Sequence, residues 1–296
     1  MQSTDDYDSL IAQEGAVWGG AARDFANRVP PDWQIMRLRP PHNIIYRRQI
    51  DALLNSIEPG SRVLEVGCWS GWLSLEMARR GALVTGVDVA ADALDIAREY
   101  AAAHPPQGSV EYKLLDINSA TLPTETYDLI VGVGVLHHLV EVRHVLEQFR
   151  GALKPGGWLF IEDTFERTPR LNTLICGGLL MLLPTHLSYR EKWRHLFRLR
   201  GAALSHMADS VEAKGLSPFE GYGRQQRADD LPPKYLTVHS MRTNSAFTGY
   251  IIQQLKLPSR AITVLGRALN LLDRLAIRLR LLRGLNYTLL AEKPLA

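Results

Sequence analysis

Residues 62–71 read Arg62-Val63-Leu64-Glu65-Val66-Gly67-Cys68-Trp69-Ser70-Gly71, a short apolar run that enters a glycine-containing turn. The turn opens onto Gly71–Arg80, a helical pattern with Ser70 as its expected N-cap and Gly81 as its stop. Strand, turn and helix in that order make a ligand cradle. Gly67 allows close approach of backbone, and the helix start offers N–H groups without intrahelical partners. The next apolar run, Leu83–Val87, is followed by Asp88, 21 residues after Gly67. A carboxylate there can accept from both hydroxyls of a ribose. The alternative is that Asp88 caps the helix beginning near Ala90.

Outward from this unit, strands and helices alternate. A helix is expected over Ala90–Ala103, strands over Val110–Leu115 and Tyr127–Val131, and a helix over Arg143–Leu153. Lys154–Gly157 then reads as a turn and Trp158–Glu162 as a strand. Upstream, Asn43–Glu58 is helical and Pro59-Gly60 ends it. This rhythm predicts a parallel sheet covered on both faces. Beyond Thr164 it breaks into helical pieces rich in Arg and His. A long amphipathic helix or helix pair follows over residues 256–284, and Asn286–Ala291 reads as a last strand. In the long helix Leu265, Leu269, Leu272, Ala276 and Leu279 recur at helical spacing, with Arg260, Arg267, Arg274 and Arg278 on another face. Three readings stay open: leucines packed on the domain with solvated arginines, a dimer contact, or weak attachment to an anionic membrane.

The chain has 296 residues, 46% hydrophobic and 22% charged, which excludes a disordered or fibrous protein and allows a sizeable core. A net charge of +3 is too mild to argue for nucleic acid. Two cysteines, Cys68 and Cys176, form neither a disulfide framework nor a metal-ligand set, which favours a reducing cytoplasm. The acidic start MQSTDDYDSL lacks the apolar stretch of a signal peptide, and Leu174–Pro184 is too short to span a bilayer.

The stretches LEVGCWSG, VTGVDV, LLDI, GVGVLHHL and LKPGGWLFIED together resemble the class I S-adenosylmethionine (SAM) dependent methyltransferases over residues 60–165, and YTLLAEKP resembles that family's ending. The resemblance implies a Rossmann-like, seven-stranded, mostly parallel sheet with helices on both faces, an N-terminal helical lid and helical insertions near the C-terminus. It divides the chain into a lid (1–58), a SAM-binding core (59–165), an acceptor-pocket insertion (166–255) and a helix plus final strand completing the sheet (256–296). It also implies SAM as cofactor. Glu65, Gly67, Cys68, Trp69 and Gly71 would form its first binding turn. Asp88 would hold the ribose and Val89 pack on the adenine, Asp116 and Ile117 would meet the adenine edge, and Gly132 and Val133 the amino-acid part. The family's middle glycine is Trp69 here. A tryptophan is a poor choice for φ > 0, so negative φ is expected, with the ring over the pocket edge; the alternative is a lapsed site.

His137 and His138 follow the fourth strand, at the edge where α/β proteins bind ligands. Methyl transfer mainly requires alignment, and a hydroxyl acceptor gains from a base near neutral pKa. Either histidine could serve, His138 before His137, or both could simply pack or orient the cofactor. Glu162 and Asp163 could bind or deprotonate the acceptor, or solvate the rim. In the N-terminal segment, which also holds Glu14, Trp18 and Trp33 could wall the acceptor pocket or anchor the lid, and Arg47 or Arg48 could pair with the cofactor's carboxylate or lie at the surface. No acidic cluster suits a metal, so none is expected. The expected function is methylation of a small, perhaps apolar molecule, at oxygen first and nitrogen second, in natural-product, lipid or sugar modification, by a cytoplasmic monomer or homodimer that binds no nucleic acid. The alternatives are a macromolecule methyltransferase, or a SAM-binding fold without methyl transfer.

Overall fold

Alternating burial along the strands decides how the sheet is covered. In β1 (Arg62–Val66), Leu64 and Val66 face one core cluster, while Val63 faces another. The computed structural model describes residues 4–165, 169–197, 217–219 and 235–295. Its sheet has seven strands, with β2 (Leu83–Asp88), β3 (Ser109–Leu114), β4 (Tyr127–Val133), β5 (Leu153–Thr164), β6 (Thr237–Asn244) and β7 (Asn286–Glu292) following β1 in the chain. Their spatial order is β3-β2-β1-β4-β5-β7-β6. Strands β1 to β5 pair in parallel, and β7 runs antiparallel to both β5 and β6. The order reverses between β1 and β4, which opens a crevice at their carboxyl ends.

Helices cover both faces. α1 (Thr4–Ala26), α2 (Trp33–Met36), α3 (Arg47–Asn55), α4 (Trp72–Arg79) and α5 (Ala91–Ala103) precede β3, and α6 (Val142–Ala152) enters β5. α6 packs Val145, Leu146 and Phe149 against Ile130, Ile161 and Leu289 on one face. Trp33, Leu54, Leu73 and Met77 pack against Val63, Val131 and Phe160 on the other. α7 (Arg170–Leu182), α8 (Tyr189–Phe197), α9 (Thr248–Gln254) and α10 (Ser259–Arg278) form a cap beyond the ends of β5 and β6. In it Leu180, Ile251, Ile252 and Leu269 share a further cluster with Ile45. Lys192 of α8 donates to the carbonyls of Leu180 and Leu183, 2.7 and 2.5 Å away, where α7 ends.

The structure corrects several expectations. Lys154–Gly157 lies within β5 rather than in a separate turn, because the strand begins at Leu153 beside Tyr127 before a register shift. Residues 166–255 are not insertion alone: β6 is the edge strand, and its burial is too irregular for an apolar signal. Most of the remaining Arg- and His-rich stretch, 166–168, 198–216 and 220–234, lies outside the described residues. In α10 the inward face is Gly266, Leu269 and Asp273, while Leu272 and Leu279 point outward. α4 starts after Gly71, and the buried Ser70 hydroxyl has no hydrogen-bond partner among the described residues, so it is no cap.

Glu162 was expected at the carboxyl rim. Alternation on β5 instead turns it toward the face shared with Phe160, where Thr288 and Asn244 donate to its carboxyl group. Burial pushes this group up to about 7. Asp163, on the opposite face, accepts from the N–H groups of Leu136 and Thr164 at 2.7 and 2.6 Å.

Asp273 is fully buried and accepts from the N–H groups of Ala246 (2.8 Å) and Thr248 (2.9 Å), tying the β6–α9 turn to α10. Asp273→Ala leaves those donors unsatisfied and is expected to cost about 3 kcal/mol in urea unfolding. Glu162→Gln acts through pH. The unfolded carboxyl releases its proton near its ordinary 4.5, whereas the folded one keeps it until about 7. Wild type therefore loses stability as pH rises across that window. The glutamine variant does not, so its advantage should grow by up to about 3 kcal/mol between those pH values, read by denaturant titration at each pH.

Candidate active site

The crevice at the β1/β4 reversal holds a cavity of about 260 Å³. Its walls come from the end of β1 and the turn after it (Glu65, Gly67, Trp69), the end of β2 (Asp88, Val89), the segment after β3 (Asp116, Ile117, Asn118) and the end of β4 with the turn that follows (Val133, Gly134, His138). α1 closes it with Ile11, Glu14 and Trp18, and Phe219 adds a further wall.

The turn after β1 is locked from two sides. Gly67 has φ +68°, and its N–H and that of Cys68 donate to the Val87 carbonyl at 2.9 and 3.1 Å. Trp69 has φ +48°, against the expected negative value. Its N–H donates to Asp88 Oδ2 (2.8 Å) and its indole N–H to the Trp18 carbonyl (3.1 Å), while Phe25 lies 5.2 Å from its ring. These contacts offset a left-handed cost of roughly 1–2 kcal/mol. The other Asp88 oxygen accepts from the Ala90 N–H at 2.9 Å. The helix-start role is thus present, and the carboxyl group, which lines the cavity wall, keeps acceptor capacity for a ligand. Burial raises the Asp88 carboxyl, and the N–H groups of Ala90, Trp69 and Val89 pull it back in part.

Glu65 is buried at the cavity wall and accepts from the Ser74 hydroxyl. Burial, with the charge of Asp88 adding to it, pushes its carboxyl up to about 8. Asp116 accepts from the Tyr7 hydroxyl at 2.8 Å and, on its other oxygen, from the Asn118 N–H at 2.9 Å. Burial and the Asp116 contact raise the Tyr7 phenol. α1 sits tightly on this rim: a side chain at Gly15 would meet the Val89 carbonyl oxygen at 2.5 Å, so only glycine fits there.

The two histidines separate. His137 turns away from the cavity, and its Nδ1 lies 2.6 Å from Asp163 Oδ1. Burial alone would raise Asp163, but His137 and the two N–H groups outweigh it and hold this carboxyl below the usual range. His138 lines the cavity. Its Nδ1 lies 3.2 Å from Glu14 Oε1, which also accepts the Trp18 indole N–H at 2.7 Å. Ser217 donates to Glu14 Oε2 at 2.7 Å. Burial pushes the Glu14 carboxyl up, but His138, Ser217 and Trp18 together hold it below its ordinary value. His138 Nε2 is buried and has no hydrogen-bond partner among the described residues.

Other expected site residues lie elsewhere. Cys68 packs on Leu75 and Leu94, Gly71 sits under the Tyr112 hydroxyl, and Gly132 abuts Ile161, all outside the cavity wall. Gly134 takes the place expected for Gly132, because β4 runs two residues further than the apolar pattern suggested. Trp33 is fully buried and stacks on Trp72 at 5.3 Å rather than walling the cavity. Arg47 pairs with Asp51 at 3.3 Å, and Arg48 lines a separate cavity of about 960 Å³ beside α3 and α10. The sequence offered no signal for Tyr7, Ser217 or Phe219, since contacts from distant segments bring them in. Among the described residues, no group of three or more His, Cys, Asp or Glu is arranged to hold a metal ion, and no helix is long and apolar enough to cross a membrane.

Residues 42–212 match the model of a methyltransferase domain family. The chain is 33% identical over 177 residues to a ubiquinone biosynthesis O-methyltransferase of Bordetella avium, covering 58% of this chain and 70% of that protein. It is 34% identical over 142 residues to the Haemophilus ducreyi enzyme of the same name, covering 45% of this chain and 59% of that one, so it spans little more than half of that relative's length. Phosphoethanolamine N-methyltransferase 2 of Haemonchus contortus, solved in complex with SAM, superposes with a TM-score of 0.52 at 15% identity over 83% of this chain and 52% of that one. That likeness concerns the fold. The extent of the domain match and the Bordetella relative together place this chain in the class I SAM-dependent methyltransferase family.

Proposed function

We propose that this chain transfers a methyl group from SAM to a hydroxyl of a small molecule, with His138 as general base and Glu14 as the group that orients it. The observation carrying the proposal is the buried Glu14–His138 pair, in which His138 lines the cavity and its Nε2 has no hydrogen-bond partner among the described residues. The donor set suits the cofactor. Asp88 and Asp116 are carboxyl acceptors for ribose hydroxyls and an adenine amine, Val89 and Ile117 are apolar walls for a flat ring, and Glu65 is an acid for a cationic end. The Tyr7 hydroxyl already makes on Asp116 the kind of bond an amine would make.

When bound, SAM supplies a methyl group already activated on a sulfonium. The protein must then align the acceptor and take its proton. Glu14 accepts from Nδ1, which keeps the proton on that nitrogen and leaves Nε2 with a free lone pair to take a proton. As the acceptor oxygen loses its proton to Nε2, the imidazolium faces a carboxylate held ionised by Trp18 and Ser217. His137, bonded to Asp163, holds the turn that aims His138. Trp18, whose ring stands edge-on to His138 at 5.2 Å, walls the same space.

The named role of the two relatives supports a hydroxyl acceptor. Their names refer to ubiquinone biosynthesis and lend no support to the wider expectation of natural-product, lipid or sugar modification.

Isothermal titration should show SAM binding by wild type and its loss in Asp88→Ala; binding that survives this substitution would remove the cofactor assignment. In a panel of hydroxylated small molecules scored by S-adenosylhomocysteine release, His138→Ala should lower kcat by about 10²–10⁴-fold. Glu14→Gln should lower it less, with KM for SAM unchanged. Full turnover by His138→Ala rejects the base. Glu65 predicts a pH dependence. A cation bound beside it favours the ionised carboxyl, so binding releases a proton below about 8 and affinity rises with pH up to that value. Glu65→Gln should flatten the profile.

A further inference from the structure

α10 has two apolar arcs, and among the described residues only one is packed. The inner arc, with Ile262, Gly266 and Leu269, lies against the cap core. The outer arc carries Val264, Leu271, Leu275 and Leu279, which are 51–72% exposed. Their spacing of seven, four and four residues sets them on one stripe. Arg260, Arg267, Arg274 and Arg278 run along one edge of that stripe at spacings of seven, seven and four. From Lys256 to Arg283 the chain has seven basic residues and a single acid, Asp273. That acid is fully buried and occupied by the N–H groups of Ala246 and Thr248. The face therefore joins exposed leucines to cations with no accessible counter-charge on its own helix. α7, in the same core cluster, also turns Leu171, Leu174 and Leu182 outward at 52–76% exposure.

We propose that the outer face of α10 is a peripheral docking surface for an anionic lipid bilayer. Leucines entering the acyl boundary while arginines extend to the headgroups match both halves of the pattern. The same face against a second copy would bring two arginine rows together without an acid between them, which disfavours a symmetric dimer. α7 follows the carboxyl end of β5 and α9 that of β6, at the sheet edge that also carries the cavity, and α10 packs on α9 before the chain enters β7. Docking there would set the cavity edge near the bilayer. The proposal does not depend on methyl transfer.

The test is co-sedimentation of the full chain with vesicles of phosphatidylcholine mixed with phosphatidylglycerol, compared with phosphatidylcholine alone. Binding is expected to the mixed vesicles, weakened by salt. The double substitutions Leu271→Ser with Leu275→Ser, and Arg267→Gln with Arg278→Gln, should each lower the partition coefficient by about tenfold or more. Thermal melts should be unchanged, since these side chains are outside the packed core. No sedimentation by wild type, equal sedimentation with both vesicle types, or sedimentation unaffected by either double substitution would overturn the proposal. So would a dimer in analytical ultracentrifugation that the leucine substitutions dissolve while vesicle binding is absent.

Discussion

The carboxyl group of Asp88 is the joint on which the cavity depends. One oxygen holds the Trp69 N–H and the other the Ala90 N–H, so a single buried group ties the turn after β1 to the start of α5. That tie keeps Trp69 in a left-handed conformation in which its indole can reach the Trp18 carbonyl of α1. α1 is thereby fastened to the strand edge by a bond as well as by the close fit of Gly15 on Val89. The cavity's floor and its cover share one anchor, at the point where strand order reverses.

The adjacent histidines show how a short turn separates two tasks. Leu136–His138 forms a tight helical turn, and Asp163 binds its start through the Leu136 N–H and the His137 ring together. With His137 bound there, His138 faces the cavity and meets Glu14 of α1. The carboxyl groups follow a common rule. Asp163 and Glu14, each facing a histidine as well as N–H or O–H donors, are held low despite burial, while Asp88, Glu65 and Glu162, which face no histidine, are raised.

Much of this was legible in the amino-acid sequence. Apolar runs of strand length alternating with helical patterns, together with Gly67 and Asp88 at their spacing, determined the parallel core and located the cavity at the ends of β1 and β2. These are local signals: periodicity, turn chemistry and one acid at a strand end. β6 escaped because an edge strand is half solvated and loses the clean apolar alternation that betrays a strand.

Tertiary structure alone decided the rest. Which of His137 and His138 faces the cavity depends on Asp163, 26 residues later in the chain, and on Glu14, more than 100 residues earlier. Residue type predicts negative φ at Trp69, yet φ is positive, because partners on β2 and α1 that no local pattern reveals offset its cost. Glu162 and Asp163 are neighbours of like chemistry, yet the two-residue period of β5 sends them to opposite faces of the sheet. The leucines of α10 divided between core and surface by where α9 and α7 came to lie. Sequence determines what each segment can become; packing between distant segments selects which side chains share a space, and charge and hydrogen bonding act only across that shared space.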